Sequence, residues 1–314
     1  MCSHSFALAL MLLSFLHMSN GFLASPKNFR GKTSAISSLL SAPHLKMSEE
    51  APQVPQVKMP RLVGLKDFVS VKKQHYFSDE ANWLVPGHIL LGRYPGNDPY
   101  IRCTAEEQKR KVERIVKEGR VTAFVCLQSE IPPQTVENME DFDDSSPYSD
   151  NKSNQPHWEN NQILSGHPRL GGSFTRYSTD AISAFESRDW YTHKEKIDFL
   201  HLPIADLSPT KSLDMLHDYV YQVKETIVEN QETVYLHCWG GCGRTGLVSA
   251  CLLGHLYPGM CAEEALARVD TYFKLRSPDA LAPHSRSPET DAQIKQVKDY
   301  YACYIEKEQL GGDR

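Results

Sequence analysis

The sequence predicts an α/β fold in which a central, mostly parallel twisted sheet is flanked by helices. Three stretches carry this prediction, because each joins a short apolar strand to a helix. They are the helix and strand within 104–127, the strand and helix within 199–228, and the strand and helix within 233–256. Helices that alternate with buried strands are typical of a parallel sheet covered on both faces.

Residues 1–47 are predicted to be a leader that takes no part in the fold. The apolar run Phe6–Leu16 has the length of a signal-peptide core and is too short to span a bilayer. Residues 22–47 contain no Asp or Glu, carry several Lys and Arg residues, and are rich in Ser and Ala, which is typical of a transit peptide. This pairing resembles the two-part leader of algae with complex plastids and predicts a plastid address. The alternative is a secretory signal with a pro-segment, which would direct the protein to the secretory pathway or outside the cell.

The folded domain is predicted over residues 83–306, with a tail over 307–314. Residues 48–82 contain several prolines and mixed charges and are predicted to be a linker or N-terminal extension. Residues 83–92 then form a turn that leads into a strand. Within 104–127, Thr104 caps a helix that ends at Gly119, and a buried strand follows.

The periodicity of the sequence disappears over residues 137–172. This segment is acidic at its start and contains much Asn, Ser, Pro and Gly, so it is predicted to be a flexible surface insertion. A functional alternative is a specificity flap, in which Trp158 and the acidic residues meet a basic partner.

The second half of the chain supplies the remaining elements. Phe199–Ile204 is a predicted strand, and a loop over 205–210 leads to a helix over 215–228. Val234–Leu236 is a short apolar run typical of a buried strand, and three glycines between positions 240 and 243 allow a tight turn with inward N–H groups. The helix from Arg244 onward completes a cradle of loop N–H groups and helix N-terminus that suits an anion.

Two further helices are predicted over 263–273 and 287–306. In the second, Ser287 would be the N-cap and Pro288 the first helical residue.

The residues of the cradle are chemically matched to a phosphate group. Cys238 would have its thiolate stabilised by the helix dipole and the loop N–H groups, which makes it a nucleophile near neutral pH. Arg244 offers a planar fork for two phosphate oxygens. Thr245 could donate a hydrogen bond to the sulfur, and His237 could order the loop through backbone carbonyls. The alternative is a buried core cysteine with a surface arginine nearby.

The pattern His237-Cys238-x5-Arg244-Thr245 resembles the signature of the cysteine-dependent protein tyrosine phosphatase superfamily. The uncharged residues between Cys238 and Arg244 are Trp239, Gly240, Gly241, Cys242 and Gly243, here named the phosphate loop. They most resemble the dual-specificity branch, especially kinase-associated phosphatases. The resemblance implies a tyrosine-phosphatase-like fold and a phosphatase that works through a phosphocysteine intermediate.

Asp206 occupies the position where the superfamily carries its general acid. Such a residue protonates the leaving oxygen and then activates the hydrolytic water. The alternative for Asp206 is an ordinary turn residue or helix cap. Glu289 stands where the superfamily has a glutamine that positions water.

The resemblance favours phosphotyrosine, phosphoserine and phosphothreonine in proteins as substrates. The phosphate loop lacks the extra lysines of inositol phosphatases, and no Lys-Asn-Arg-Tyr loop of strictly tyrosine-specific enzymes is present. A phosphorylated glucan is the alternative substrate. Rival functions are a catalytically weak phosphate-binding module, and a sulfurtransferase or arsenate reductase.

Composition and cysteine spacing bear on which ligands and partners are expected. The net charge of -5 gives no signal for binding nucleic acid or an anionic membrane. The eight cysteines show no paired metal spacing, so reduced thiols are expected, with no metal site and no cofactor. Cys126 ends a strand that is expected to lie beside the Val234–Leu236 strand, and Cys242 lies in the phosphate loop, so both are candidates for redox regulation of Cys238. The alternative for both is a purely structural role. The predicted partner is a phosphorylated protein, and the oligomeric state is left open.

Overall fold

The structure is a computed structural model that describes residues 57–98, 102–135, 157–159, 162–164 and 174–311. The predicted leader, residues 1–47, lies outside the described residues, as does most of the predicted insertion.

A six-stranded mixed sheet forms the centre of the described domain. The strands of the chain are β1 (Tyr76–Ser78), β2 (Ala81–Val85), β3 (Ile89–Gly92), β4 (Ala123–Gln128), β5 (His157–Glu159), β6 (Gln162–Leu164), β7 (Asp198–Ile204) and β8 (Val234–His237). The order in the large sheet is β1-β2-β3-β8-β4-β7, and β5 and β6 pair separately as an antiparallel hairpin. The pairs β3–β8, β8–β4 and β4–β7 are parallel, whereas β1–β2 and β2–β3 are antiparallel. The predicted fold class is therefore confirmed.

Helices cover both faces of this sheet. They are α1 (Phe68–His75), α2 (Ala105–Lys117), α3 (Ser178–Glu186), α4 (Leu213–Val228), α5 (Gly243–Leu256), α6 (Ala262–Phe273), α7 (Pro278–Leu281), α8 (Asp291–Tyr300) and α9 (Glu306–Gly311), with a π-helical turn at Tyr301–Ile305. The helix predicted after Thr104 begins as expected, because Thr104 and Glu107 form a reciprocal capping box.

Side chains that alternate along β8 separate the two apolar cores. Leu236 packs with α4, α5, α6 and α8 on one face, whereas Tyr235 packs with α2 and α3 on the other. All four residues of β8 are buried, as are all residues of α5 except His255. A strand buried on both faces reads as a continuous apolar run, which is the pattern seen in its sequence. This burial fixes the end of β8 and the start of α5 relative to the sheet.

The folded domain begins before Trp83, so the prediction of a linker or N-terminal extension over 48–82 is wrong from residue 68 onward. Helix α1 begins after Asp67, whose carboxylate accepts a hydrogen bond from the N–H of Ser70. Val71 and His75 are buried, and the His75 ring stacks on Tyr272 of α6 at 3.6 Å between centroids. Because α1 has only 8 residues, tertiary contacts stabilise it more than its own sequence pattern does.

The β5–β6 hairpin lies within the segment that was predicted to be a flexible insertion. Trp158 and Ile163 of this hairpin are buried in the core that contains α2 and α3. The Trp158 indole N–H also donates a hydrogen bond to the Pro133 carbonyl at 3.0 Å. Trp158 is therefore a core residue and is not available to a basic partner, contrary to the flap hypothesis.

The last predicted helix begins later than expected. Thr290, and not Ser287, is the N-cap of α8, and it forms a capping box with Gln293. Residues 287–289 are thus left in a loop, and Glu289 reaches the candidate site described next. Among the described residues, no helix is both long enough and apolar enough to cross a membrane.

Candidate active site

The candidate site lies where β8 ends and α5 begins. Cys238 follows β8 directly and is only 2% exposed. Within the phosphate loop, Gly241 has a φ of +64°, and a Cβ there would lie 2.1 Å from the Gly92 carbonyl oxygen. Only glycine fits that position, because both the backbone conformation and the close approach of β3 exclude a side chain.

Carbonyl groups of the phosphate loop are bound from outside the loop. The Trp239 carbonyl accepts a hydrogen bond from the Tyr94 N–H at 2.8 Å. Arg276 Nη1 donates to the carbonyls of Gly240 and Gly241 at 3.3 and 3.1 Å. In a trans peptide the N–H points opposite to the C=O, so the N–H groups of the loop are directed away from these partners. The loop is thereby shaped to offer donors to an anion.

Arg276 is a supporting residue that the sequence did not reveal. It is 3% exposed, and its Nε donates to the Asn82 side-chain oxygen at 2.8 Å. Burial lowers the pKa of Arg276 to about 10, so the side chain remains a cation at neutral pH. Neither Arg276 nor Asn82 stands in a recognisable motif, because Arg276 follows α6, Asn82 belongs to β2, and the two meet the loop only in the folded chain.

Arg244 is the second residue of α5 and is almost fully buried. Its guanidinium donates to Glu130 Oε2 at 2.5 Å, to Asp206 Oδ1 at 2.9 Å and to the Ile204 carbonyl at 3.1 Å. Burial acts to lower the pKa of Arg244, but nearby Glu130 and Cys238 raise it above the ordinary value. The fork predicted to hold phosphate oxygens is thus occupied by two carboxylates.

Asp206 follows β7 and lies at the mouth of the site, with its side chain 49% exposed. Burial raises the pKa of its carboxyl group, and the nearby Glu130 raises it further. The Arg244 cation acts in the opposite direction, but the net effect is a raised pKa. An aspartate with a raised pKa keeps its proton to a higher pH, as a general acid requires.

Glu130 is a second residue that sequence reasoning missed. It lies just beyond the carboxyl end of β4, and its side chain is 12% exposed beside Arg244. A signal was present, since β4 was predicted next to the strand that ends at Cys238. Carboxyl ends of adjacent parallel strands meet at the same edge of a sheet, where sites form.

His237 orders the backbone at Cys238, in agreement with its predicted contact with carbonyls. Its Nδ1 lies 3.2 Å from the Cys238 carbonyl oxygen, and its Nε2 lies 2.8 Å from the Tyr177 hydroxyl. Burial lowers the pKa of His237 to about 3, so the ring is neutral near pH 7. This network assigns the proton to Nδ1, which donates to the carbonyl, while the tyrosine hydroxyl donates to Nε2.

Thr245 is buried directly after Arg244. Its hydroxyl makes no hydrogen bond in the part of the chain that the structure describes. The predicted bond to the Cys238 sulfur is therefore not formed here, and the hydroxyl remains available for it.

A cleft of about 620 Å³ brings most of the predicted residues together. It is lined by Cys238, Arg244, Asp206 and four residues of the phosphate loop, Trp239, Gly240, Cys242 and Gly243. Three residues of the predicted set do not line the cleft, namely His237, Gly241 and Thr245. The other wall residues, which include Arg93, Leu207, His284 and Glu289, were not in the predicted set.

The loop that carries Asp206 is tied to α8. The Gln293 amide donates from Nε2 to the Ser208 carbonyl at 3.1 Å, and its oxygen accepts from the N–H groups of Glu289 and Thr290. Gln293 therefore links the acid-bearing loop to the segment that carries Glu289.

The other thiols near the site differ from Cys238 in their surroundings. Burial raises the pKa of Cys126 to about 12 and also raises that of Cys242. Cys126 pairs with His237 across β4 and β8, as the predicted strand order required. Its side chain, however, lies in the core of α2 and α3, whereas Cys238 belongs to the core on the other face.

One family model matches part of the second half of the chain. Residues 183–295 match the family PTP-SAK, described as "Swiss Army Knife protein, DSP-PTPase phosphatase domain". This range contains Asp206, Cys238 and Arg244. The match covers about a third of the chain and supports a dual-specificity-type phosphatase domain over these residues.

Several solved structures are similar to the chain at low identity. Tk-PTP in its active form is 18% identical, with 71% of this chain and 97% of that chain covered and a TM-score of 0.39. Kinase associated phosphatase with its catalytic cysteine replaced by serine is 16% identical, with 68% and 85% covered and a TM-score of 0.39. The human tyrosine phosphatase-like serine/threonine/tyrosine-interacting protein is 14% identical, with 72% and 99% covered and a TM-score of 0.39. Comparison with curated proteins gives no match.

Proposed function

We propose that the chain hydrolyses phosphotyrosine, phosphoserine and phosphothreonine in proteins through a phosphocysteine intermediate. The observation that carries the proposal is the convergence of three groups on one cleft. Arg244, 2.9 Å from the Asp206 carboxylate, shares this cleft with Cys238. A nucleophile, a bidentate cation and a carboxyl group with a raised pKa are the parts that phosphomonoester cleavage requires.

In the first step, the Cys238 thiolate attacks phosphorus, and a P–S bond forms as the P–O bond to the leaving group breaks. Asp206 gives its proton to the leaving oxygen. Arg244 and the loop N–H groups hold the remaining oxygens, where charge builds up in the transition state.

In the second step, Asp206 accepts a proton from water, whose oxygen attacks phosphorus. The P–S bond breaks, the electron pair returns to Cys238, and orthophosphate is released. The Thr245 hydroxyl, which is buried without a partner among the described residues, can donate a hydrogen bond to the departing sulfur.

Substrate entry requires one carboxylate to leave Arg244. Asp206 is the mobile partner in this proposal, because its side chain is 49% exposed and that of Glu130 only 12%. Phosphate oxygens then replace Asp206 on Nη2, and the carboxyl group moves to the position of the leaving oxygen. Glu130 stays on Nη1 and keeps the guanidinium plane oriented.

Hydrolysis of p-nitrophenyl phosphate by residues 48–314 in the presence of a chelator tests the reaction. We expect turnover that vanadate blocks and that Cys238→Ser abolishes, because the hydroxyl of serine is a poor nucleophile at neutral pH. Cys261→Ser, at an exposed position outside the cleft, is the matched control and should retain turnover. Turnover by folded Cys238→Ser, or none by the folded and reduced parent, would refute the proposed mechanism.

A panel of phosphopeptides and a phosphorylated glucan tests the substrate class. We expect release of phosphate from phosphotyrosine and from phosphoserine or phosphothreonine peptides, with little from the glucan. Glucan as the preferred substrate would establish the alternative, and binding without turnover would establish a phosphate-binding module.

We also propose that residues 1–47 direct the protein to a plastid. Their apolar run and the following acid-free, basic segment support this proposal. Fusion of these residues to a fluorescent protein in an alga with complex plastids should give plastid fluorescence. Secretion of the fusion would support the alternative secretory signal.

A further inference from the structure

A group of potential metal ligands lies on one wall of the catalytic cleft. Cys242, His284 and Glu289 each offer one ligand atom, and the three atoms lie within 4.8 Å of one another. Cys242 is buried, whereas the other two are partly exposed, and all three line the cleft. An ion that enters the cleft can therefore reach them.

Two glycines of the phosphate loop make room for these ligands. A Cβ on Gly240 would lie 2.4 Å from His284 Nε2, and a Cβ on Gly243 would lie 3.2 Å from Glu289 Oε2. The imidazole and the carboxylate thus press against the loop backbone on either side of Cys242. Side chains at these two positions would push the ligands apart.

Two hydrogen bonds hold the three groups in place. His284 Nδ1 and Glu289 Oε1 are 2.9 Å apart in a hydrogen bond, and the Cys242 thiol donates to the Arg286 carbonyl at 2.8 Å. Nitrogen and oxygen ligands on a tetrahedral Zn²⁺ at about 2.0–2.1 Å lie about 3.3 Å apart. The 2.9 Å between His284 Nδ1 and Glu289 Oε1 is therefore within about 0.4 Å of the distance between two such ligand atoms on Zn²⁺.

The chemistry of the three donors narrows the choice of ion. Thiolate, imidazole and carboxylate together are typical ligands of Zn²⁺, whereas Mg²⁺ and Ca²⁺ prefer oxygen donors. Three protein ligands leave a fourth coordination position open on a tetrahedral ion.

We propose that Cys242, His284 and Glu289 form a site for Zn²⁺, and that the bound ion inhibits the enzyme reversibly. The inhibitory part rests on the proposed phosphatase activity. On binding, the Cys242 S–H bond breaks, its proton passes to solvent and its electron pair is donated to the metal, with no change of oxidation state.

Inhibition follows from the position of Cys242 in the phosphate loop. Sulfur and nitrogen on one tetrahedral Zn²⁺ lie roughly 3.6 Å apart, so ligand atoms that lie within 4.8 Å of one another close by up to about 1 Å. The Cys242 thiol then loses its bond to Arg286, and the loop that directs N–H groups at phosphate is distorted. The ion also occupies the cleft beside Cys238.

Cobalt binding to Cys238→Ser tests the site without interference from the catalytic thiol. Co²⁺ takes the same ligands as Zn²⁺ and gives an ultraviolet charge-transfer absorption when a thiolate binds it. We expect this absorption at one equivalent of Co²⁺, its loss in Cys238→Ser/Cys242→Ser, and at least about tenfold weaker binding in Cys238→Ser/Glu289→Gln. Cys238→Ser/Cys261→Ser, the matched control, should retain it.

The opposite results would overturn the site. No charge-transfer absorption in Cys238→Ser, or its persistence without Cys242, would show that this cluster does not bind the ion. If circular dichroism shows that the Cys242 variant is unfolded, cobalt binding by Cys238→Ser/His284→Gln and by Cys238→Ser/Glu289→Gln tests the site instead. Unchanged cobalt affinity in both would refute the proposal.

Inhibition is measured separately on the active enzyme. We expect Zn²⁺ to inhibit p-nitrophenyl phosphate hydrolysis, a chelator to restore it, and Glu289→Gln to need at least about tenfold more Zn²⁺ for half-inhibition. Equal sensitivity of parent and Glu289→Gln would mean that the ion acts elsewhere, and would overturn the inhibitory part. An inactive parent that still binds Co²⁺ would refute the proposed function and leave the metal site standing.

Discussion

At the scale of single residues, Arg244 combines deep burial with two carboxylate partners of unequal exposure. A buried charge is tolerated only when it is paired and hydrogen-bonded, so its partners influence both folding and chemistry. Asp206, the more exposed partner, is placed to exchange protons. Glu130, the less exposed partner, is placed to hold the Arg244 cation.

Replacement of Asp206 by Asn is expected to slow turnover by roughly 10²–10⁴-fold, the usual contribution of a general acid. Because burial raises the pKa of this carboxyl group, the parent should keep its active protonated form to a higher pH than an ordinary aspartate would. The alkaline limb of the kcat/KM profile should therefore disappear in the variant. Asp218→Asn, at an exposed position on α4, is the control and should preserve both rate and profile.

Replacement of Glu130 by Gln is expected to shift the same alkaline limb to lower pH. Glu130 raises the pKa of Asp206 by charge repulsion, and an amide of equal size removes that repulsion. A pH profile of kcat/KM measures the shift. Glu263→Gln, at an exposed position on α6, should leave the limb in place, and an unmoved limb in Glu130→Gln would argue against coupling between the two carboxyl groups.

At the scale of elements, the strand, loop and helix around Cys238 could be predicted because they are contiguous in sequence. Asn82 and Arg276 could not be predicted, since they come from separate parts of the chain and meet the site only after folding, whereas Glu130 had a signal in its place just after β4. The start of the domain was misplaced for a similar reason. Helix α1 has a weak pattern of its own and depends on contacts with α6 and β2.

Removal of α1 is expected to destabilise the domain measurably. A chain that begins at Tyr76 exposes the pocket of Val71, whose burial is worth about 1.5–3 kcal/mol, and loses the stacking of His75 on Tyr272, worth about 0.5–1.5 kcal/mol. Urea unfolding should give a free energy of unfolding at least about 2 kcal/mol below that of a chain that begins at residue 57. Equal stability of the two chains would contradict the assignment of α1 to the core.

At the scale of the whole molecule, burial lowers the pKa of several described histidines, and three of them show large shifts. The pKa is lowered to about 4 for His75 and His201 and to about 3 for His237, from an ordinary value of 6.5. As pH falls below 6.5, the unfolded chain binds protons at these positions and the folded chain does not. The free energy of unfolding should therefore fall with pH, from about 6.5 towards the folded-state pKa values.

Urea unfolding between pH 7 and about 5 measures this dependence, with up to roughly 1.4 kcal/mol per pH unit for each histidine. His201→Gln should reduce the slope of the free energy of unfolding against pH by the contribution of one histidine. This holds even if the substitution changes the absolute stability. His193→Gln, at an exposed position, should leave the slope unchanged. A flat profile down to pH 5 would show that these rings are not held neutral in the folded protein.

Arg276 and Asn82 support the phosphate loop from the side away from the cleft, and none of their contacts involves a substrate. The loop therefore keeps its shape whether or not a phosphoester is bound. A cradle formed in advance recognises the tetrahedral oxyanion itself and is indifferent to what is attached to it. In the proposed reaction, the released orthophosphate fits the same donors as the substrate, so product and substrate compete for the cradle.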